Sequence, residues 1–295
     1  FIRICDATNG ISGCGLWDES DGFYYDQMLT GHEQQPLRVR SAVGCIPIIA
    51  VELLDENIME KLPGFAKRAK WFLENRKDLS GKMSYLETNS QPHDYLLLAM
   101  PTRERLQRTL SYLLDEDEFL SPYGLRSLSK WHQKNPFTFN YNGGSSTVSY
   151  DPGESTSGLF GGNSNWRGPI WFPLNYLIIE ALERYHRYYG DTFQMEYPTR
   201  SGNMLTLGDI AIDLSSRLAK LFLRDENGQR PFDGAEWPFA NDPHFAETIL
   251  FHEYFHGDTG KGLGASHQTG WTALASRFLS DRIWQREHPA IVHHA

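Results

Sequence analysis

The chain has 295 residues, 22% charged and 40% hydrophobic, with a formal net charge of −9, a length that allows one large domain with an ample core or two ordinary ones. The negative balance argues against nucleic acid or anionic lipid as the principal partner, since both require a basic surface, and no apolar run approaches the length of a membrane helix. Cys5, Cys14 and Cys45 are an odd set without metal-ligand spacing; they read as free thiols in a reducing compartment, so a cytoplasmic location is expected.

The chain opens at Phe1 without Met and without a signal-peptide pattern, and Phe1 to Ala7 reads like the interior of a helix. Leu16 to Asp26 mixes acids and aromatics. Gly22 to Tyr25 suits a small hairpin, with the acids forming a turn before it. Val39 to Leu54 is apolar almost all round, which predicts a helix buried on every side. Thr102 can cap a helix carrying Leu106, Leu110 and Leu113. Gly143 to Asn165 is the main loop candidate. Pro169 stands where a helix can begin. Leu174, Leu177, Ile178, Ala181, Leu182, Tyr185 and Tyr188 then form one stripe, ended by Gly190. Leu207, Ile210, Ala211, Leu214, Leu218, Leu221 and Phe222 form another, and Trp271, Leu274, Ala275 and Phe278 a last one. Strand evidence is thin. The pattern predicts an all-α ring of inner and outer helices, joined by long aromatic and Gly-rich loops at which function would sit.

Three clusters bear chemistry. Phe251 to His256 contains a literal His-Glu-x-x-His through His252, Glu253 and His256, which on a helix would bind zinc. The context is poor. Thr259 and Gly262 stand where a metzincin extension needs Gly and His, the helix following Thr269 offers no Glu, and Gly257, Gly260, Gly262 and Gly264 end any helix at once. A metal-free reading has Glu253 as a carboxylate oriented by Tyr254, His256 and Trp271, as one half of the carboxyl pair a glycosidase needs; the bland alternative is a solvated surface Glu. Asn165 to Tyr176 sets Trp166 and Trp171 around Arg167. Indoles can stack on sugar C–H faces while Arg167 and Asn175 donate to hydroxyls, and an aromatic helix start explains the same residues equally well. Trp17 to Asp26 is the third cluster.

These motifs, in the order Trp17-Asp18-Glu19 with Gly22 to Asp26, Asn165 to Trp171, His252 to Phe255 with Asp258-Thr259-Gly260, and Gly270-Trp271-Thr272, resemble glycoside hydrolase family 63, the family of processing α-glucosidase I and bacterial mannosylglycerate hydrolases. The resemblance runs over nearly the whole chain. It implies an (α/α)6 toroid, hydrolysis with inversion, and chemistry without a metal or other cofactor. It places the general base at Glu253. It implies a sugar pocket lined by Trp166, Arg167, Gly168 and Trp171, with Asn165 where many members carry an aromatic wall. Trp17, Asp18, Tyr24, Tyr25, Asp26, Asn175, Tyr254, His256 and Trp271 complete the expected substrate contacts.

The family's general acid is an Asp on a loop well before the Phe-Tyr-Tyr-Asp segment, and only 22 residues precede Phe23 here. The expectation is therefore a partial barrel over residues 1–283, the C-terminal part of a catalytic domain, followed by a loose tail at 284–295. Uncovered barrel faces would meet an upstream part of the same polypeptide or a second copy. The substrate class implied is an α-glucoside or related oligosaccharide, with a mannosyl compound second. A sugar-binding or structural remnant without activity is the alternative, and a zinc hydrolase the weaker one.

Overall fold

A computed structural model describes residues 8, 15–30, 33–76, 85–88, 95–141, 143–156, 158, 164–234 and 242–280. The chain divides into two units, one comprising Phe1–Tyr112 with Glu180–Gly208, the other Leu113–Ile179 with Asp209–Ala295. The opening segment before Thr8 and the tail expected at 284–295 lie outside the described residues.

In the first unit a two-stranded hairpin pairs β1 (Trp17–Asp18) with β2 (Phe23–Tyr24). The Asp18 carboxylate closes its turn, accepting from the amides of Ser20 and Asp21, both at 3.0 Å, while Gly22 adopts φ +73°, which suits a residue without Cβ. The acids therefore form the turn of the hairpin itself rather than a turn ahead of it. β3 (Asp26–Thr30) and β4 (Glu33–Leu37) form a second antiparallel pair.

Val39 to Leu54 corrects the expectation of a buried helix. It holds a short 3-10 turn at Ala42–Cys45, a single turn of helix α1 (Ile46–Ile49), and then strand β5 (Val51–Asp55). Val43 and Ile46 are exposed at 53% and 43% while Ile48 is fully buried, so the segment has two faces. Pro47 fits only in the first helical turn. β5 joins β6 (Tyr85–Thr88) and β7 (Tyr95–Ala99) in an antiparallel sheet of order β5-β7-β6, and the apolar run Leu96-Leu97-Leu98 is its central strand. Helices α2 (Glu56–Lys61) and α3 (Pro63–Asn75) follow β5.

Helix α4 (Arg103–Leu113) begins as expected, with the Arg105 amide donating to Thr102 Oγ1 at 3.2 Å, and Leu106, Leu110 and Leu113 are buried. Helix α5 (Phe172–Tyr189) starts three residues after Pro169. The cause is local: Ile170 exchanges both backbone hydrogen bonds with Phe255, at 2.8 and 3.0 Å, so residue 170 is extended. Pro173, in the first turn of α5, occupies the position where a missing N–H costs nothing. Ile178, Ala181, Leu182, Tyr185 and Tyr188 are buried; Leu177 is exposed. A short pair, β12 (Gln194–Glu196) with β13 (Met204–Thr206), leads into helix α6 (Leu207–Lys220), whose predicted stripe from Leu207 to Phe222 is buried throughout.

The second unit packs Phe172 against Phe222, Phe255 and Phe278 at ring separations of 5.4–6.1 Å. Around this aromatic core stand three hairpins. They are β8 (Leu120–Ser121) with β9 (Gly124–Leu125), β10 (Phe137–Tyr141) with β11 (Gly144–Val148), and β14 (Tyr254–Phe255) with β15 (Gly262–Leu263). The last predicted helix is present as α7 (Thr269–Thr272) and a further helical stretch at 275–280. The fold is thus helix-rich, but the expectation of at most one small hairpin is corrected: the described residues contain seven small sheets. Three of the hairpins have strands of only two residues, too short to display an alternating pattern in the sequence.

Candidate active site

The candidate site lies in the second unit, on the β14–β15 hairpin and the segment ahead of α5. Glu253 immediately precedes β14. Its amide donates to Ala265 O at 2.8 Å, and its own carbonyl accepts from Trp271 Nε1 at 3.0 Å. The half-buried carboxylate is gripped at both ends: Oε1 accepts from Ser164 Oγ at 3.0 Å and Oε2 from the Ala265 amide at 3.2 Å. Two neutral donors orient a carboxylate without neutralising it, and each oxygen keeps a lone pair for a further donor such as water.

Aromatic rings form one wall. Trp166 stacks on Trp171 at 3.9 Å and 7°, Trp171 stacks on Tyr254 at 4.7 Å, and Trp271 meets Trp171 edge-on at 6.0 Å. Trp171 and Tyr254 are buried and act as backing. The outer indole, Trp166, is 38% exposed and offers a flat apolar face. The Tyr254 hydroxyl donates to Glu154 Oε2 at 2.7 Å. Burial first, then this hydrogen bond and the charges of Glu154, Glu253 and Asp151, hold its pKa well above the ordinary phenol range, so it stays a donor.

The rest of the Trp-Arg segment is scaffolding. Asn165, fully buried, donates to the carbonyls of Asp151 (2.6 Å) and Gly153 (2.7 Å) and accepts from the Arg167 amide at 2.9 Å. It ties the 151–156 segment to the site and does the work of a bracket where an aromatic wall was expected. Arg167 is 4% exposed and reaches Asp151 Oδ2 at 3.3 Å, so its expected contact with sugar hydroxyls is replaced by an internal ion pair. Gly168 is buried, and a Cβ there would meet Asp151 O at 2.7 Å and the Tyr150 ring at 2.8 Å; it permits a close backbone crossing rather than a ligand contact. Asn175 is likewise corrected. It is 1% exposed, and its amide bonds the N–H and C=O of Leu125 at 2.7 and 3.0 Å, fastening β9 to α5.

His252 and His256 do not form the helical pair that a zinc site of this spacing needs. The segment enters a strand, where four residues extend by roughly 13 Å. His252 is buried beside Phe232 and Phe255; burial, and secondarily the charge of His267, push its pKa down to about 4. His256 Nδ1 accepts from the amides of Asp258 and Thr259 at 3.1 and 3.2 Å, which assigns the ring proton to Nε2. Its pKa is lowered, chiefly by burial. Asp258 closes the turn. Its Oδ1 accepts from Arg126 (3.0 Å), Lys130 (3.2 Å) and Tyr150 (3.1 Å). Burial pushes its pKa up, but the hydrogen bond and charge of Arg126, then those of Lys130, outweigh this and hold it below the usual carboxylate value.

The Trp17 cluster lies in the first unit. Trp17 packs edge-on against Tyr24 at 4.8 Å, under the guanidinium groups of Arg105 and Arg108 at 4.9 and 5.4 Å. Asp18 pairs with Arg38 at 2.7 Å. Tyr24 and Tyr25 are 2% exposed, and Tyr25 donates to Asp21 at 2.9 Å; both are core residues here rather than open sugar contacts. Asp26 is exposed at the start of β3. Sequence reasoning missed Ser164, Asp151 and Glu154. Ser164 directly precedes the Asn-Trp-Arg motif and was within reach of inspection, whereas nothing local marks Glu154.

Residues 89–272 match the family described as the mannosylglycerate hydrolase MGH1-like glycoside hydrolase domain. The uncharacterized Saccharomyces cerevisiae protein YMR196W is 49% identical over 268 residues, 90% of this chain and 25% of that protein. The mannosyl-oligosaccharide glucosidase of S. cerevisiae is 26% identical over 59% of this chain and 15% of its own length. A GH63 mannosylglycerate hydrolase from Thermus thermophilus, in complex with glucose, aligns at a TM-score of 0.42 and 18% identity, over 92% of this chain and 36% of that one. The chain thus spans a quarter or less of the length of these two yeast relatives. The family match spans most of the chain, including the Asn165–Trp171 and His252–Thr272 motifs, and the chain belongs to the mannosylglycerate hydrolase MGH1-like family of glycoside hydrolases.

Proposed function

We propose that this chain supplies the water-activating side of an inverting glycoside hydrolase, with Glu253 as general base and the general acid contributed by an Asp outside these 295 residues. The observation that carries the reading is the Glu253 carboxylate, held at both oxygens by Ser164 and Ala265 beside the Trp166–Trp171–Tyr254 stack. A base on water must be ionised, oriented and left with a free lone pair, and this one meets the last two conditions by geometry. The Trp166 face supports binding of a sugar ring, and Trp271 and His256 border the same hairpin. The proposed architecture is the (α/α)6 toroid of the family, to which the amphipathic helices α5 and α6 are suited. Inversion calls for an acid carboxyl roughly 6.5–9.5 Å from Glu253, leaving room for a water.

α-Glucosides are the first substrate class and mannosyl compounds the second, by analogy with the named relatives. The test is fluoride release from both anomers of glucosyl and mannosyl fluoride by the full-length protein and its Glu253→Gln variant. Fluoride departs without a proton, so the assay reads the base alone. Release should fall by roughly 10²- to 10⁴-fold in the variant, the scale of general-base catalysis, and the first-formed sugar should carry the opposite anomeric configuration by NMR. Equal release by the two proteins would overturn the assignment.

A further inference from the structure

We propose that Glu154 is a positioning residue for Glu253, acting through a closed ring of hydrogen bonds that fixes the amide on which the base rests. The proposal builds on the reading of Glu253 as the base. Around the ring, Glu253 Oε2 accepts from the amide of Ala265 at 3.2 Å, and the Glu253 amide donates to the carbonyl of the same residue at 2.8 Å. The preceding amide, Gly264, donates to Glu154 Oε1 at 3.3 Å. Glu154 Oε2 accepts from the Tyr254 hydroxyl at 2.7 Å, and Tyr254 is the chain neighbour of Glu253. Consecutive amides are thus held by two different carboxylates, and the ring closes through one peptide bond on each side.

Two features separate this from an ordinary surface glutamate. A long exposed side chain loses rotamer entropy when fixed, yet here both oxygens are engaged, one of them by the hydroxyl of a tyrosine whose ring is wholly buried. The segment bearing Glu154 is also anchored from behind. Asn165 binds the carbonyls of Asp151 and Gly153, and the Asp151 amide donates to Arg167 O at 2.7 Å. Glu154 therefore projects from a fixed base. Gly264 completes the fit. It adopts φ +66°, and a Cβ there would meet Glu253 Oε2 at 2.8 Å and Tyr254 Cε1 at 2.7 Å, so the turn can sit against the base only as glycine. The high pKa of Tyr254 keeps its proton in place for Glu154 across the working pH range. Glu154 needs no contact with the reacting atoms for this role. It limits the travel of the Ala265 amide, and a displaced base loses rate rather than affinity.

The test uses the full-length protein with Glu154→Ala, Glu154→Gln, Tyr254→Phe and the Glu154→Ala/Tyr254→Phe double variant, followed by hydrogen exchange at Ala265 and by kcat and KM on the glycosyl fluoride. Losing one charge-assisted bond should speed Ala265 exchange about tenfold, with amides in α5 unchanged. kcat per folded molecule should fall about tenfold with KM within about twofold, the folded fraction being measured by circular dichroism and by the unchanged α5 amides, because a partly unfolded sample would also lower the apparent kcat at constant KM. Glu154→Gln, which keeps an acceptor oxygen, should recover most of the rate, and the double variant should be no worse than Glu154→Ala if both act in one ring. Unchanged Ala265 exchange and unchanged kcat in Glu154→Ala, with Glu253→Gln inactive, would overturn the proposal and leave the base assignment standing. A fully active Glu253→Gln would remove both.

Discussion

Lowering the pH from 7.5 to 4.5 should weaken the second unit chiefly through His252, with a smaller contribution of the same sign from His256, whose pKa is also lowered by burial. The ring is 3% exposed among Phe232, Phe255 and the backbone of Gly262, and its pKa falls from the ordinary 6.5 to about 4. For a depressed histidine the neutral form belongs to the folded state. The unfolded chain binds the proton first, so the contribution is complete above pH 6.5 and is lost as pH falls toward 4. At pH 4.5 the unfolded side chain is almost wholly protonated and the folded one about a quarter so, which gives a loss of about 2.5 kcal/mol. Urea unfolding followed by tryptophan fluorescence at the two pH values measures it. His252→Phe, which keeps an aromatic ring and cannot titrate, should lose about 2.5 kcal/mol less than the wild type over this interval; His252→Leu is a second non-titrating control. A histidine NMR resonance of His252 that titrates near 6.5, or equal pH losses in wild type and both variants, would refute the reasoning.

Asp258→Asn should destabilise by about 3 kcal/mol, because it leaves the buried Arg126 guanidinium without its anion. Denaturant titration above pH 6 reads the loss, and the wild-type contribution should persist until pH falls below the ordinary carboxylate value, since the Asp258 pKa is lowered. Asn175→Leu should cost about 2–4 kcal/mol by stripping both bonds from Leu125 while leaving kcat per folded molecule unchanged; a rise in KM alone would return Asn175 to the sugar site. Trp166→Ala should raise KM for the sugar several-fold and cost about 1 kcal/mol of stability through the lost stack on Trp171, and isothermal titration with a non-hydrolysed sugar separates the two effects.

Periodicity carried the helices well. The stripes on α4, α5 and α6 were legible because burial on one helical face repeats at a fixed spacing whatever lies opposite. The Asp18–Gly22 turn was legible because short polar side chains and glycine act on their own backbone. Val39 to Leu54 was misread for a related reason. An apolar run with little polar interruption looks alike in a buried helix and in a strand, and only pairing with β7, 40 to 48 residues away, makes β5 a strand. The His-Glu-x-x-His match failed in the same manner: its meaning depends on a helix, and the bonds from Ile170 to Phe255 draw those residues into extended backbone.

By itself the sequence determined the family, the helical stripes and the place of Glu253 among aromatic residues, since all three are written in residue types at short or ordered spacings. Only the tertiary structure decided what those residues do for one another. Asn165, Arg167 and Asn175 carry side chains suited to sugar hydroxyls, yet spend their hydrogen bonds on the chain's own backbone and carboxylates. Glu154, with no motif around it, sits on the Tyr254 hydroxyl, 100 residues away. The physical reason is that a polar group's role follows from which partners remain once burial has removed water, and those partners come from segments that meet only when the chain is folded.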